Sequence, residues 1–102
     1  MSRQPNSRQL RAIGHKLKPV VTVAGNGIHD GLIMELNRAL NDHELIKIKV
    51  AVGSRESRDE VLKELLDTCG ATLIQRIGNT ALVLKRSDEP DPNKSNLLRH
   101  SF

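Results

Sequence analysis

The residues best suited to chemistry lie together in VVTVAGNGIHDG, Val20 to Gly31, where Gly25, Gly27 and Gly31 follow directly on an apolar run. Glycines this dense, between a strand and a helix, let backbone N–H groups approach a large anion without side-chain obstruction. A dinucleotide site would use such a loop, but it also needs an acid near the end of the second strand to hold a ribose hydroxyl. That strand ends Lys49-Val50-Ala51-Val52, which supplies none. A phosphate-binding NTPase loop needs Gly-Lys-Ser or Gly-Lys-Thr after the glycines, and neither is present. Two readings stay open. Ala24-Gly25-Asn26-Gly27 is either a clamp of the G-x-x-G type for a nucleic-acid backbone, or a plain strand-to-helix turn needing positive φ at Gly25 or Gly27. His29 either caps the helix that follows or touches phosphate.

The distribution of charge favours the clamp. The chain has 102 residues, with 16 Lys and Arg against 12 Asp and Glu, a formal net charge of +4. Arg3, Arg8, Arg11, Lys16 and Lys18 all precede Asp30, the first acid. Lys47 and Lys49 alternate with apolar residues in LIKIKVAV and so share one strand face. Arg76, Lys85 and Arg86 fall in the last hairpin. The acids gather elsewhere, with Glu56, Asp59, Glu60, Glu64 and Asp67 in one helical segment. A positive face with a neutral-to-acidic back is the electrostatic footprint of phosphate binding.

Catalysis and metal binding find little support. The four histidines, His15, His29, His43 and His100, are spread over separate segments without ligand spacing to one another or to Cys69. Neither a nucleophile–base pair nor a carboxylate dyad is evident. No enzyme activity, cofactor, metal or small-molecule substrate is therefore expected. A lone cysteine fits a reducing compartment. With neither a long apolar stretch nor an N-terminal apolar run, a cytoplasmic protein away from membranes is expected.

The elements that must position these residues follow from periodicity. Leu10, Ile13 and Leu17 give a short helix from Ser7, ended by Lys18-Pro19. Val20 to Val23 reads as a buried strand. A second helix spans about His29 to Asn41, with Ile28, Leu32, Leu36, Ala39 and Leu40 inward. Leu45 to Val52 is a strand, and residues 55–69 form a third helix with Val61, Leu62, Leu65, Leu66 and Cys69 inward and Gly70 as a left-handed cap. Ala71–Ile77 and Ala81–Lys85 form a hairpin around Gly78-Asn79. The order αβαβαββ makes this an α/β chain of the two-layer α+β type with a mixed sheet. Helices on one side would leave Lys47 and Lys49 open to water. Residues 1–6 are expected to be a disordered arm, 7–86 a single domain and 87–102 a mostly disordered tail.

The segments L-K-P-V-V-T-V-A-G-N-G-I-H-D-G, H-E-L-I-K-I-K-V, T-C-G-A and Q-R-I-G-N-T-A-L-V-L-K-R, in that order, resemble the CRM (chloroplast RNA splicing and ribosome maturation) domain, closest to its small bacterial stand-alone YhbY-like form. The resemblance covers residues 8–86. It implies a four-stranded mixed sheet similar to that of the C-terminal domain of translation initiation factor three. It also implies association with large-subunit ribosomal precursors and an RNA contact at the G-x-x-G loop, which maps onto Ala24, Gly25, Asn26 and Gly27. Two positions depart from the family pattern. Ala24 replaces the first loop glycine, and Leu84-Lys85-Arg86 replaces a leucine-tyrosine-arginine ending.

The expected function is RNA binding by a monomeric ribosome assembly factor, with precursor ribosomal RNA of the large subunit as partner. Ala24, Gly25, Asn26, Gly27, His29, Arg8, Arg11, Lys16, Lys18, Lys47, Lys49, Arg76, Lys85 and Arg86 are the candidate contacts. Phe102 is the only aromatic residue, so stacking on aromatic rings gives way to phosphate contacts and shape. The alternative is a protein–protein adaptor that docks an acidic partner on the same face.

Overall fold

A computed structural model of the protein describes residues 5–25 and 27–99. Its elements are α1 (Ser7–Gly14), β1 (Pro19–Val23), α2 (Asp30–His43), β2 (Leu45–Val50), α3 (Arg55–Cys69), β3 (Thr72–Ile77) and β4 (Thr80–Leu84). The sheet order is β1-β2-β4-β3. β1 runs parallel to β2, and β4 runs antiparallel to both β2 and β3. The αβαβαββ order and the mixed four-stranded sheet agree with the sequence.

Local chemistry sets the ends of the helices. The Asn6 side chain accepts from Gln9 N at 2.8 Å, and the Gln9 side chain accepts from Asn6 N at 2.9 Å, a reciprocal capping box that starts α1. Asn6 is therefore a built cap and not part of a disordered arm; residues 1–4 lie outside the described residues. α3 begins at Ser54, whose Oγ accepts from Ser57 N, and ends at Gly70 with φ +70°, the left-handed cap expected from its position.

The main core lies between the sheet and α2 with α3. Leu32, Leu36 and Leu40 of α2 and Leu62, Leu65, Leu66 and Cys69 of α3 pack on Val21, Val23, Ile46, Ile48, Val50, Ala81 and Val83. β1 is an edge strand with one buried face, not a strand buried throughout, and Val20 is 51% exposed. Burial among aliphatic side chains pushes the Cys69 thiol above its ordinary pKa, and the Lys85 ammonium pulls it partly back. Iodoacetamide at neutral pH should leave native Cys69 unlabelled and modify it in denaturant. Rapid labelling of the folded protein would show that the end of α3 opens.

The opposite sheet face is not bare. Leu10 and Ile13 of α1 cover Leu45 and Leu82, and Leu97 completes this second core. This corrects the expectation that all helices share one side. Leu45 and Leu82 stand on the outward parity of their strands, with Leu45 in line with Lys47 and Leu82 paired with it across the ladder. Water would otherwise meet an apolar strip there, and α1 supplies a matching stripe.

The segment expected as a disordered tail folds back over residues 87–99. Glu44, buried at the C-terminal cap of α2, holds it. Its carboxylate accepts from Ser87 N at 2.7 Å and from Ser95 Oγ at 2.6 Å. Asn96 Nδ2 donates to the Leu45 carbonyl at 2.7 Å, and Asn96 N donates to the His43 carbonyl at 2.9 Å. His43 Nδ1 lies 2.9 Å from the Lys94 carbonyl and must carry the proton to bond there. The segment lacks helical or strand periodicity because side-chain clips hold it. Residues 100–102, including His100 and Phe102, lie outside the described residues.

Candidate nucleic-acid interface

The glycine loop sits at the carboxyl end of β1. Gly27 N donates to the Ala24 carbonyl at 3.0 Å, closing a tight turn. Gly27 has φ +74°, so the positive-φ reading of the loop is correct at Gly27. Gly25 needs no positive φ, and a Cβ added there would meet nothing within 4 Å. The loop is therefore both a required turn and an unobstructed stretch of backbone. Asn26 lies outside the described residues. His29 caps α2, its Nδ1 accepting from Leu32 N at 3.2 Å. With Nδ1 accepting, the neutral ring carries its proton on Nε2, a donor left over for another group.

Topology gathers other groups at this end. β1 and β2 are parallel and adjacent, so their following loops emerge side by side, and Ala51 N donates to the Val23 carbonyl at 2.8 Å. Val50 N donates to the Asn79 carbonyl at 2.7 Å, which brings in the β3–β4 hairpin. The N-termini of α2 and α3 consequently share one end of the sheet, where their partial positive charges favour anions. Arg55 and Arg58 stand in the first turn of α3. Cations there oppose the helix dipole by about 0.3–1 kcal/mol each, and Glu56 in the same turn offsets part of their charge. Their place was not read from the sequence because the acids of α3 dominate that segment. The G-S-R-E-S-R run at its start was the available signal.

Lys47 and Lys49 share one face of β2, as their alternation requires. Lys49 is exposed and pairs in register with Thr22 of β1 and Thr80 of β4, near the loop end. Lys47 is half-buried. It joins Lys16, Lys18 and Arg99 along a cleft of about 230 Å³ between the exit of α1 and the folded-back C-terminal segment. Among the described residues, no carboxylate lines this cleft. Arg8 and Arg11 lie on α1, on the same side of the sheet, exposed and half-buried respectively. Arg99 was missed because its segment was read as disordered.

Three candidates lie elsewhere. Arg76 pairs in register with Ala81, a residue of the main core, and so faces α3. Its guanidinium bonds Asp59 at 2.6 Å. Lys85 and Arg86 line a separate cleft with Asn41, Thr68 and Ser87, at the carboxyl ends of α2 and α3. Cations suit that pole, where helix carbonyls are unpaired. The hairpin basics thus do not join the face formed by Lys47 and Lys49.

Comparison with known proteins agrees with this architecture. The family model for the CRS1 / YhbY (CRM) domain matches residues 4–85. A Pseudomonas aeruginosa protein named "Probable RNA-binding protein PA4753" is 47% identical over 96 residues, covering 94% of this chain and 92% of that protein. A Haemophilus influenzae protein named "RNA-binding protein" is 38% identical over 80 residues, covering 78% of this chain and 81% of that one. The solution structure of the hypothetical protein SAV1595 from Staphylococcus aureus superposes with a TM-score of 0.71 at 26% identity, covering 81% of this chain and 86% of that one. From the sheet, the loop and a match over most of its length, the chain belongs to the CRS1 / YhbY (CRM) domain family.

Proposed function

We propose that this protein binds RNA and serves in ribosome assembly, contacting precursor ribosomal RNA of the large subunit through the glycine loop and the lysine face of β2. The observation that carries this reading is the cation cluster of Lys16, Lys18, Lys47 and Arg99, which no carboxylate of the described residues lines, on the same side as exposed Lys49. The naming of its relatives as RNA-binding proteins supports the same partner. Binding rests on phosphate neutralisation and on a fixed spacing between loop and lysines, so affinity falls steeply with salt and sequence preference is modest. The protein acts by occupying RNA, without chemistry of its own.

Crosslinking in cells followed by sequencing of bound RNA tests the proposal. Enrichment of large-subunit precursors is the expected result. Recovery of acidic proteins without RNA would favour the adaptor reading instead.

The loop's share is measured best at Gly25. Gly27→Asp would strain the backbone at φ +74°, whereas Gly25→Asp meets neither strain nor a neighbouring atom. Gly25→Asp is expected to change stability by no more than about 0.5 kcal/mol. It should still weaken RNA binding roughly threefold to tenfold, by placing a negative charge where phosphate approaches. Unchanged affinity in a filter-binding titration would remove the loop from the interface.

A further inference from the structure

We propose that the cleft bounded by Lys16, Lys18, Lys47, Asn96 and Arg99 is a subsite for one unpaired nucleotide, with the phosphate on the cations and the base edge on Asn96. This inference rests on the RNA-binding reading above. It assigns a function to residues beyond the family match, which ends at residue 85.

Asn96 distinguishes the cleft from an ordinary basic patch. It is only 8% exposed, and its Nδ2 is committed to the Leu45 carbonyl. That bond fixes the amide orientation and turns Oδ1 the other way. No described group donates to Oδ1, and it is not among the atoms sealed from solvent. Among the described residues, a nearly buried amide thus carries an unpaired acceptor at a cleft whose other polar groups are mainly donors. A backbone phosphodiester cannot use it, because it has no proton to donate. A nucleobase can, through an exocyclic amine or a ring N–H. Leu17 and half-exposed Val20 supply an aliphatic wall for the flat face of the base. The volume of about 230 Å³ is below that of drug-sized pockets and suits a single heterocycle. Duplex RNA would keep its bases paired, so the occupant is a nucleotide from a loop, bulge or end.

The C-terminal segment builds the site. Asn96 and Arg99 are held at the cleft by the bonds of Glu44, His43 and Leu45 to residues 94–96 and by the burial of Leu97.

Nitrogen–proton correlation spectra of the full chain, titrated with adenosine and cytidine 5′-monophosphate, test the proposal against ribose 5-phosphate and inorganic phosphate. Saturable shifts are expected at Lys47, Arg99 and the Asn96 side-chain amide. The nucleotides should bind about tenfold more tightly than ribose 5-phosphate, the worth of one good hydrogen bond plus apolar contact. Arg99→Glu, at an exposed position, should remove the shifts without unfolding the protein. Asn96→Ala, if it folds, should equalise nucleotide and ribose 5-phosphate. Equal affinity for ribose 5-phosphate and nucleotides in the parent protein would make this a plain anion site and overturn the inference. No shifts at the cleft, in a protein that still retains ribosomal RNA, would overturn the subsite and leave the RNA-binding reading standing. Failure to retain RNA at all would overturn both.

Discussion

Replacing Lys47 and Lys49 together by glutamate is expected to abolish retention on ribosomal RNA at physiological salt. Both side chains leave β2 on the face away from the main core, since Ile46, Ile48 and Val50 occupy the inward parity. Lys47 faces the cleft shared with Lys16, Lys18 and Arg99. Lys49 stands nearer the loop end, opposite Thr22 and Thr80. Each lysine that neutralises a phosphate contributes about one unit to the slope of log affinity against log salt. Loss of both should lower that slope by about 2, and two carboxylates add repulsion against the remaining phosphates. At exposed Lys49 the change should alter stability by about 0.5 kcal/mol or less. Lys47 is half-buried, so a melting curve should accompany the binding measurement. A double variant that folds and binds with the parental salt slope would sink the proposed interface.

The second large effect concerns stability. Glu44→Ala is expected to destabilise the protein by about 2–4 kcal/mol, lowering the melting temperature by roughly 10–20 °C for a chain of this size. The Glu44 carboxylate accepts from both Ser87 N and Ser95 Oγ, and its removal strands two donors, one of them on fully buried Ser95. Glu44 also has φ +60°, a backbone region costly for a residue with a Cβ. Glu44→Gly removes the same carboxylate but relieves that strain, so it should lose less than alanine does. Alanine and glycine variants of equal stability would show that the backbone at this cap is not strained. Hydrogen exchange should locate the damage, with faster exchange at Ser95, Asn96 and Leu97 before any change in β2. A melting temperature within about 2 °C of the parent would mean that the docked segment contributes little to stability.

The sequence exposed the parts of this fold that obey a simple period. α2, α3, the left-handed cap at Gly70 and the split of β2 into an apolar and a basic face all follow from spacing alone. The glycine loop was legible as an exposed backbone: Gly27 needs the turn, and Gly25 leaves the open space that the proposed RNA contact requires. What escaped was long-range pairing. Arg76 looks like any hairpin cation until Asp59 is found beside it. Lys85 and Arg86 follow the last strand in sequence, yet they sit at the pole where α2 and α3 end. The folded-back segment has no period to read, because its order comes from Glu44 and His43, about fifty residues earlier. The side taken by α1 was hinted at by Leu45 and Leu82, two apolar residues on an otherwise polar parity.

α1 and the C-terminal segment lie on the same side of the sheet as Lys47. A label, purification handle or surface tether joined to either of them is thus delivered into the lysine side and competes with whatever binds there. The α2 side is the safer point of attachment. Met34, 72% exposed on α2, offers a position from which the protein can be immobilised or dye-labelled with its lysines facing free solution.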